Sequence, residues 1–152
     1  MSGRSRARGV EPVRVTAEPR ATLDAADRAR LLRAADARPQ HERLLAYLVV
    51  GDGLTLAEAV GLRAVDVVDA AATVTTKTGI REPRTLSSPA AELARRAAQG
   101  TAGDAALVTT RTGRPLSIQA AREILLRLAS TSGVSVDCVH QLRADRWVVT
   151  PA

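Results

Sequence analysis

The sequence contains no phenylalanine and only one tryptophan, one tyrosine and one cysteine among its 152 residues. Large aromatic side chains are therefore excluded as the main filling of a core, which must be aliphatic and packed from small residues. A lone cysteine, Cys138, excludes an intramolecular disulfide and suits a reducing compartment, so a cytoplasmic location is expected. The two histidines and that cysteine are too scattered along the chain to suggest a zinc site, and no metal or cofactor is expected. No apolar run approaches the roughly 20 residues of a membrane span. The basic N-terminus has no apolar segment behind it, so neither a secretory signal nor a membrane partner is expected. Lysine is nearly missing too: Lys77 is the only one, and every other member of the 22 Lys and Arg residues is arginine.

What is present is enough aliphatic material for one domain, too short a chain for two comfortable ones, and a net charge of +6. That charge points to a polyanion, nucleic acid first and an anionic membrane second, although it also serves plain solubility. Residues 1–21 carry Arg4, Arg6, Arg8, Arg14 and Arg20 against Glu11 and Glu18, with no helical or strand period. They read as a flexible basic arm able to lie along a phosphate backbone, or as an ordinary disordered terminus. Residues 22–152 read as the folded domain. Apolar stripes predict helices from Asp24 to Ala37, stopped by Pro39, and from Gln40 to Val50. Tyr47 falls inside the second stripe and reads as a core residue rather than a nucleophile.

Glycines at Gly51 and Gly53 close that helix, and Thr55 with Glu58 three residues on forms a capping-box pattern opening a short helix. Gly61 is read as allowing that helix to pack closely. Val65–Val68, Thr73–Thr76 and Arg84–Leu86 predict three short antiparallel strands, with Lys77-Thr78-Gly79 in the turn before the third. Ser88-Pro89 is read as the cap and first position of a helix running to about Ala98. Ser117 caps another, with Ile118, Ala121, Ile124, Leu125 and Leu128 as its buried stripe, a Glu123–Arg127 pair on its surface and Gly133 at its end. The fold class expected is α+β, mostly helical with a small three-stranded antiparallel sheet.

Four stretches, in order, carry a more specific signal: Gly53-Leu54-Thr55-Leu56-Ala57-Glu58 continuing to Leu62-Arg63, the Lys77 hairpin, Arg114-Pro115-Leu116-Ser117, and His140-Gln141-Leu142-Arg143. Over residues 22–143 the chain resembles the catalytic domain of the tyrosine recombinases, or phage integrases. The resemblance implies double-stranded DNA as partner and DNA integration or recombination, often on mobile elements, as the setting. Lys77 would protonate the leaving 5′-oxygen from the minor groove, as an ammonium can and a guanidinium effectively cannot. His140 and Arg143 would share one helix face and bind the scissile phosphate. Lys77, His140 and Arg143 are thus the catalytic positions implied, and together with Arg4, Arg6 and Arg8 the DNA-binding ones.

The chain departs from the family's pattern at two places. Thr55 stands where the resemblance expects the first catalytic arginine, and no tyrosine follows Arg143 in the nine residues to Ala152. Trp147 is too close behind Arg143 to match the family's later Trp and is read as closing the core. A phosphate-binding donor lost in this way typically costs about 10²–10³ in rate, so an inactive DNA-binding domain is expected, with catalysis in trans the remaining route. Two further readings stay open: an accessory protein that binds a full-length recombinase or its own copies, and an inert truncated remnant.

Overall fold

The computed structural model describes residues 23–136 and Leu142. The basic arm, Cys138, His140, Arg143 and Trp147 lie outside the described residues.

Helix α1 (Ala25–Ala35) begins where Asp24 accepts the Asp27 N–H at 2.7 Å. It ends two residues before the expected Ala37. From Ala34 onward the backbone tightens, Ala37 donating to the Ala34 carbonyl and Arg38 to that of Ala35. Pro39 is therefore not the stop of α1 but the residue preceding α2 (Gln40–Ala46).

Helix α2 runs directly into a π-helical turn, Tyr47–Gly51, in which Asp52 donates to the carbonyl of Tyr47 five residues back. Leu44, Leu45, Ala46, Leu48, Val49 and Val50 are all buried. An apolar run buried on every side belongs at the centre of a domain, and α2, whose last three residues begin this run, packs against α1, α4 and α5. The π turn adds a residue to the winding and delivers the chain to Gly53, whose φ of +83° favours glycine.

Helix α3 (Leu56–Val60) follows, with the capping box of Thr55 and Glu58 fully formed. Gly61 plays a different part from the one read in sequence. It is exposed and ends α3, and an added Cβ would meet only the Ala57 carbonyl of its own helix, at 3.0 Å.

The sheet has three antiparallel strands in the order β1 (Val67–Val68), β2 (Ala71–Thr75), β3 (Arg81–Thr85). All three expected strands are displaced. Ala64–Asp66 is a 3-10 turn rather than strand, because the Asp66 carboxylate accepts the Arg63 N–H at 2.9 Å and bends the chain. Strand β3 is set by pairing rather than by period, with Thr75 opposite Arg81 and Ala71 opposite Thr85. Its Arg-Glu-Pro-Arg-Thr sequence has no apolar alternation to find. Pro83 is tolerated because β3 is an edge strand.

Helix α4 (Ser88–Ala98) is capped by Ser87, one residue earlier than expected, and Pro89 occupies its second position. Helix α5 (Ile118–Ser132) is capped by Ser117, whose Oγ accepts the Ala120 N–H at 3.0 Å, and ends at left-handed Gly133. Its buried stripe is Ala121, Leu125, Leu128 and Ala129. Ile118, by contrast, is 41 % exposed and Ile124 only partly buried. Glu123 accepts from Gln119 at 3.0 Å, and the expected pair with Arg127 does not form. The core is aliphatic, drawn from Leu, Val and Ala. Tyr47 packs against it half-buried, its hydroxyl donating to Asp36 at 2.8 Å. Burial first, and then the Asp36 carboxylate, push the Tyr47 phenol up to about 12, so it stays a neutral donor. No helix among the described residues is long and apolar enough to cross a membrane.

Candidate functional site

Of the residues singled out in sequence, the structure describes Thr55 and Lys77. His140 and Arg143 lie outside the described residues, as do Arg4, Arg6 and Arg8. Between the histidine and the arginine, Leu142 is fully buried in the core.

Thr55 is committed to its own helix. Its Oγ1 accepts the Glu58 N–H at 3.0 Å, and its N–H donates to Glu58 Oε1 at 3.0 Å. Glu58 is only 7 % exposed, and its charge is met by Arg84 reaching across from β3. The contact is bidentate: Nη1 donates to Oε1 at 3.3 Å and Nη2 to Oε2 at 3.0 Å. Arg84 Nη2 also reaches Glu82 Oε2, at 3.3 Å. Burial works against the Arg84 charge, but the Glu82 hydrogen bond and the Glu58 carboxylate outweigh it and raise its pKa. Among the described residues, the Arg84 guanidinium that meets Glu58 is thus shared between two carboxylates, Glu58 and Glu82. A phosphate placed at Thr55 would meet a threonine with its acceptor engaged, beside an arginine already committed to carboxylates.

A second clamp holds the other side of the sheet. Asp66, 6 % exposed, accepts from Arg63 Nη2 at 3.3 Å and from Arg81 Nη2 at 2.6 Å, besides the Arg63 backbone N–H. Burial alone would raise its pKa, yet the Arg63 N–H and the two guanidinium contacts outweigh burial and lower it. A carboxylate held below its ordinary value of 3.8 stabilises the fold at higher pH, and that stability is lost as the pH falls past 3.8 through the folded value. Glu42 and Glu92 are lowered as well, while burial raises Asp52 and acts in the opposite sense. Asp66→Asn should therefore make the acid loss of stability shallower without abolishing it. Urea midpoints followed from pH 6 down to about 3 would check this, and an unchanged acid limb would contradict it.

The two clamps carry the hairpin whose tip bears Lys77. Thr76 donates its N–H to the Ile80 carbonyl at 2.8 Å, its Oγ1 accepts the Ile80 N–H at 3.2 Å, and its carbonyl accepts the Gly79 N–H at 2.9 Å. The Thr76 and Thr78 hydroxyls are 3.0 Å apart, and Gly79 has φ +84°. Lys77 is exposed at the tip and makes no ion pair with any described residue.

The same turn occurs again at Thr110-Arg111-Thr112-Gly113-Arg114. There Thr110 donates to the Arg114 carbonyl at 2.7 Å, its Oγ1 accepts the Arg114 N–H at 3.2 Å, and its carbonyl accepts the Gly113 N–H at 3.0 Å. The hydroxyls of Thr110 and Thr112 are 3.1 Å apart, and Gly113 has φ +89°. Arg111 thus occupies the position of Lys77. Sequence reasoning passed over it, although Thr-Lys-Thr-Gly and Thr-Arg-Thr-Gly can be matched by eye.

Placing an arginine at position 55 tests whether this locus can take a phosphate. Thr55→Arg loses the capping hydroxyl and should cost about 1 kcal/mol of stability, read by thermal melting. A gain in DNA affinity should be small, because Glu58 and Glu82 compete for the new guanidinium. An affinity increase beyond about tenfold, the equivalent of 1.4 kcal/mol, would show that the carboxylates do not govern the locus. Among the described residues no group of three His, Cys, Asp or Glu side chains could hold a metal ion.

No protein-family model matches the sequence, and no curated protein does. Solved structures do match. The lambda integrase catalytic core superposes with a TM-score of 0.64 at 23 % identity, over 82 % of this chain and 80 % of that one. A lambda integrase dimer bound to a COC′ core site gives 0.63 at 23 % identity, over 81 % of this chain and 49 % of that one. XerA recombinase gives 0.69 at 15 % identity, over 80 % of this chain and 46 % of that one. The chain thus spans about half the length of the larger integrase and recombinase chains. It has the α+β fold of a tyrosine recombinase catalytic domain.

Proposed function

We propose that this chain is a double-stranded DNA-binding domain of recombinase type that does not itself cut or join DNA. The observation that carries the reading is the state of Thr55: its acceptor is spent on the capping box, and the arginine that meets the box's Glu58 is itself shared with Glu82. Catalysis of strand transfer needs the opposite, preorganised positive charge where the phosphate charge develops. DNA binding makes a weaker demand, since phosphate contacts need only exposed cations. The net charge of +6, the exposed Lys77 on a rigidly clamped hairpin, the arginines of residues 1–21, and His140 and Arg143 by resemblance all support it.

A suicide duplex, nicked so that a covalent intermediate accumulates, tests the catalytic half. The expected result is no protein–DNA band after denaturation, at any protein concentration. A covalent band, whether through Tyr47 or any other residue, would overturn the proposal. Fluorescence anisotropy with intact duplex tests the binding half. Loss of affinity in Lys77→Ala is expected, and no binding at low salt would remove DNA as the partner.

A second reading is association with a full-length recombinase or with copies of this chain. The dimeric state of one lambda integrase structure favours it. Sedimentation with and without duplex separates the two, since a partner reading expects larger species in the absence of DNA.

A further inference from the structure

Away from Thr55 and Lys77, the start of α2, the end of α4 and the segment from Thr101 to Gly113 enclose an open cleft of about 380 Å³. Its polar walls are Gln40, His41, Arg96, Thr101, Thr109, Thr110 and Arg111, and no carboxylate lines it. Two acids reach these walls from outside the cleft. Glu92 takes Arg95 and the Nε of Arg96, the latter at 3.0 Å, while Glu42 takes Arg38 at 2.8 Å and lies 3.8 Å from His41. The Nε contact leaves the two terminal nitrogens of Arg96 without an acceptor among the described residues, and Arg111 has no hydrogen-bond partner there. The Arg111 backbone is meanwhile fixed by a turn bonded in the same way as the one that presents Lys77.

We propose that this cleft is a phosphate-binding site, taking either a phosphate of a nucleic-acid backbone or the phosphate of a small molecule. Two guanidiniums, an imidazole and threonine hydroxyls offer many donors in one concavity, and planar guanidinium forks match phosphate oxygens bidentately. The cleft falls within the general size of small-ligand pockets, roughly 300–1,000 Å³, so it can take more than a bare ion. The site does not depend on the recombinase reading, since neither Thr55 nor Lys77 lines it.

The test is ¹⁵N-labelled full chain titrated with pyrophosphate and, separately, with a short duplex. Pyrophosphate should shift the amides of His41 and of Thr109 to Gly113. Arg111→Glu should weaken its binding about tenfold or more, as expected for a lost charged hydrogen bond. The melting temperature should stay put, since Arg111 is exposed and without partners. Arg96→Ala should weaken it as well, and Lys77→Ala should leave it unchanged. If the duplex shifts the same amides and Arg111→Glu weakens it too, the phosphate is that of DNA. If only pyrophosphate does so, the ligand is a small phosphate compound. Absence of shifts at these amides with pyrophosphate, or equal binding by wild type and Arg111→Glu, overturns the proposal. Loss of duplex binding with pyrophosphate binding intact would instead count against the DNA-binding reading alone.

Discussion

Raising salt from about 50 to 200 mM should weaken duplex binding by about 300–1,000-fold, the consequence of some five phosphates neutralised and a log–log slope near −4 to −5. The expectation follows from the net charge and from cations exposed at turn tips, not from any buried contact. Lys77 and Arg111 each stand at a turn tip, and five arginines lie within residues 1–21. Each such cation displaces counterions from the duplex, and the released ions set the slope. Removing residues 1–20 should flatten it, because fewer phosphates are then neutralised. Lys77→Ala should reduce the slope by about one phosphate's worth, close to 0.9. Anisotropy titrations across a salt series supply all three numbers. A flat salt dependence would mean that this surface does not meet DNA, and the protein-partner reading would take first place.

Arg84→Ala should destabilise the fold by about 3 kcal/mol, more than Glu58→Gln, at about 1–2 kcal/mol. The two residues form one ion pair, but they are not equally able to survive the loss of the other. Glu58 is 7 % exposed, so removing the guanidinium strands a carboxylate that water cannot reach well. The Arg84 side chain is 33 % exposed and keeps Glu82 at 3.3 Å, so it can rehydrate when Glu58 is neutralised. Glu58→Gln also retains an amide oxygen able to accept the Thr55 N–H, preserving half of the capping box. For a domain of this size a 3 kcal/mol loss lowers the melting temperature by roughly 10 °C. Equal losses in the two variants would show that the pair is solvated and the asymmetry of burial irrelevant. A larger loss in Glu58→Gln would place the weight on the cap instead.

Local chemistry written into adjacent residues was legible without a structure. The Thr55–Glu58 box, the Ser117 cap and the Gly133 stop are decided within one helical turn, where a hydroxyl or carboxylate meets an N–H three residues away. The order of the four motifs from Gly53 to Arg143 pointed to the fold, and the aliphatic core followed from the missing aromatics. What the sequence could not fix depends on contacts between distant segments. Strand β3 has no apolar period of its own and is placed by pairing with β2, so its limits moved to Arg81–Thr85. The π turn at Tyr47–Gly51, its Leu48, Val49 and Val50 all buried, has no signal in the residues that form it. Above all, that Glu58 is shared between Thr55 and Arg84, 26 residues further on, appears only when β3, paired on β2, brings the Arg84 side chain to α3. The resemblance alone reads Thr55 as standing where an arginine is expected; only the tertiary structure brings Arg84 onto the carboxylate that caps it, because charges close in space need not be close along the chain.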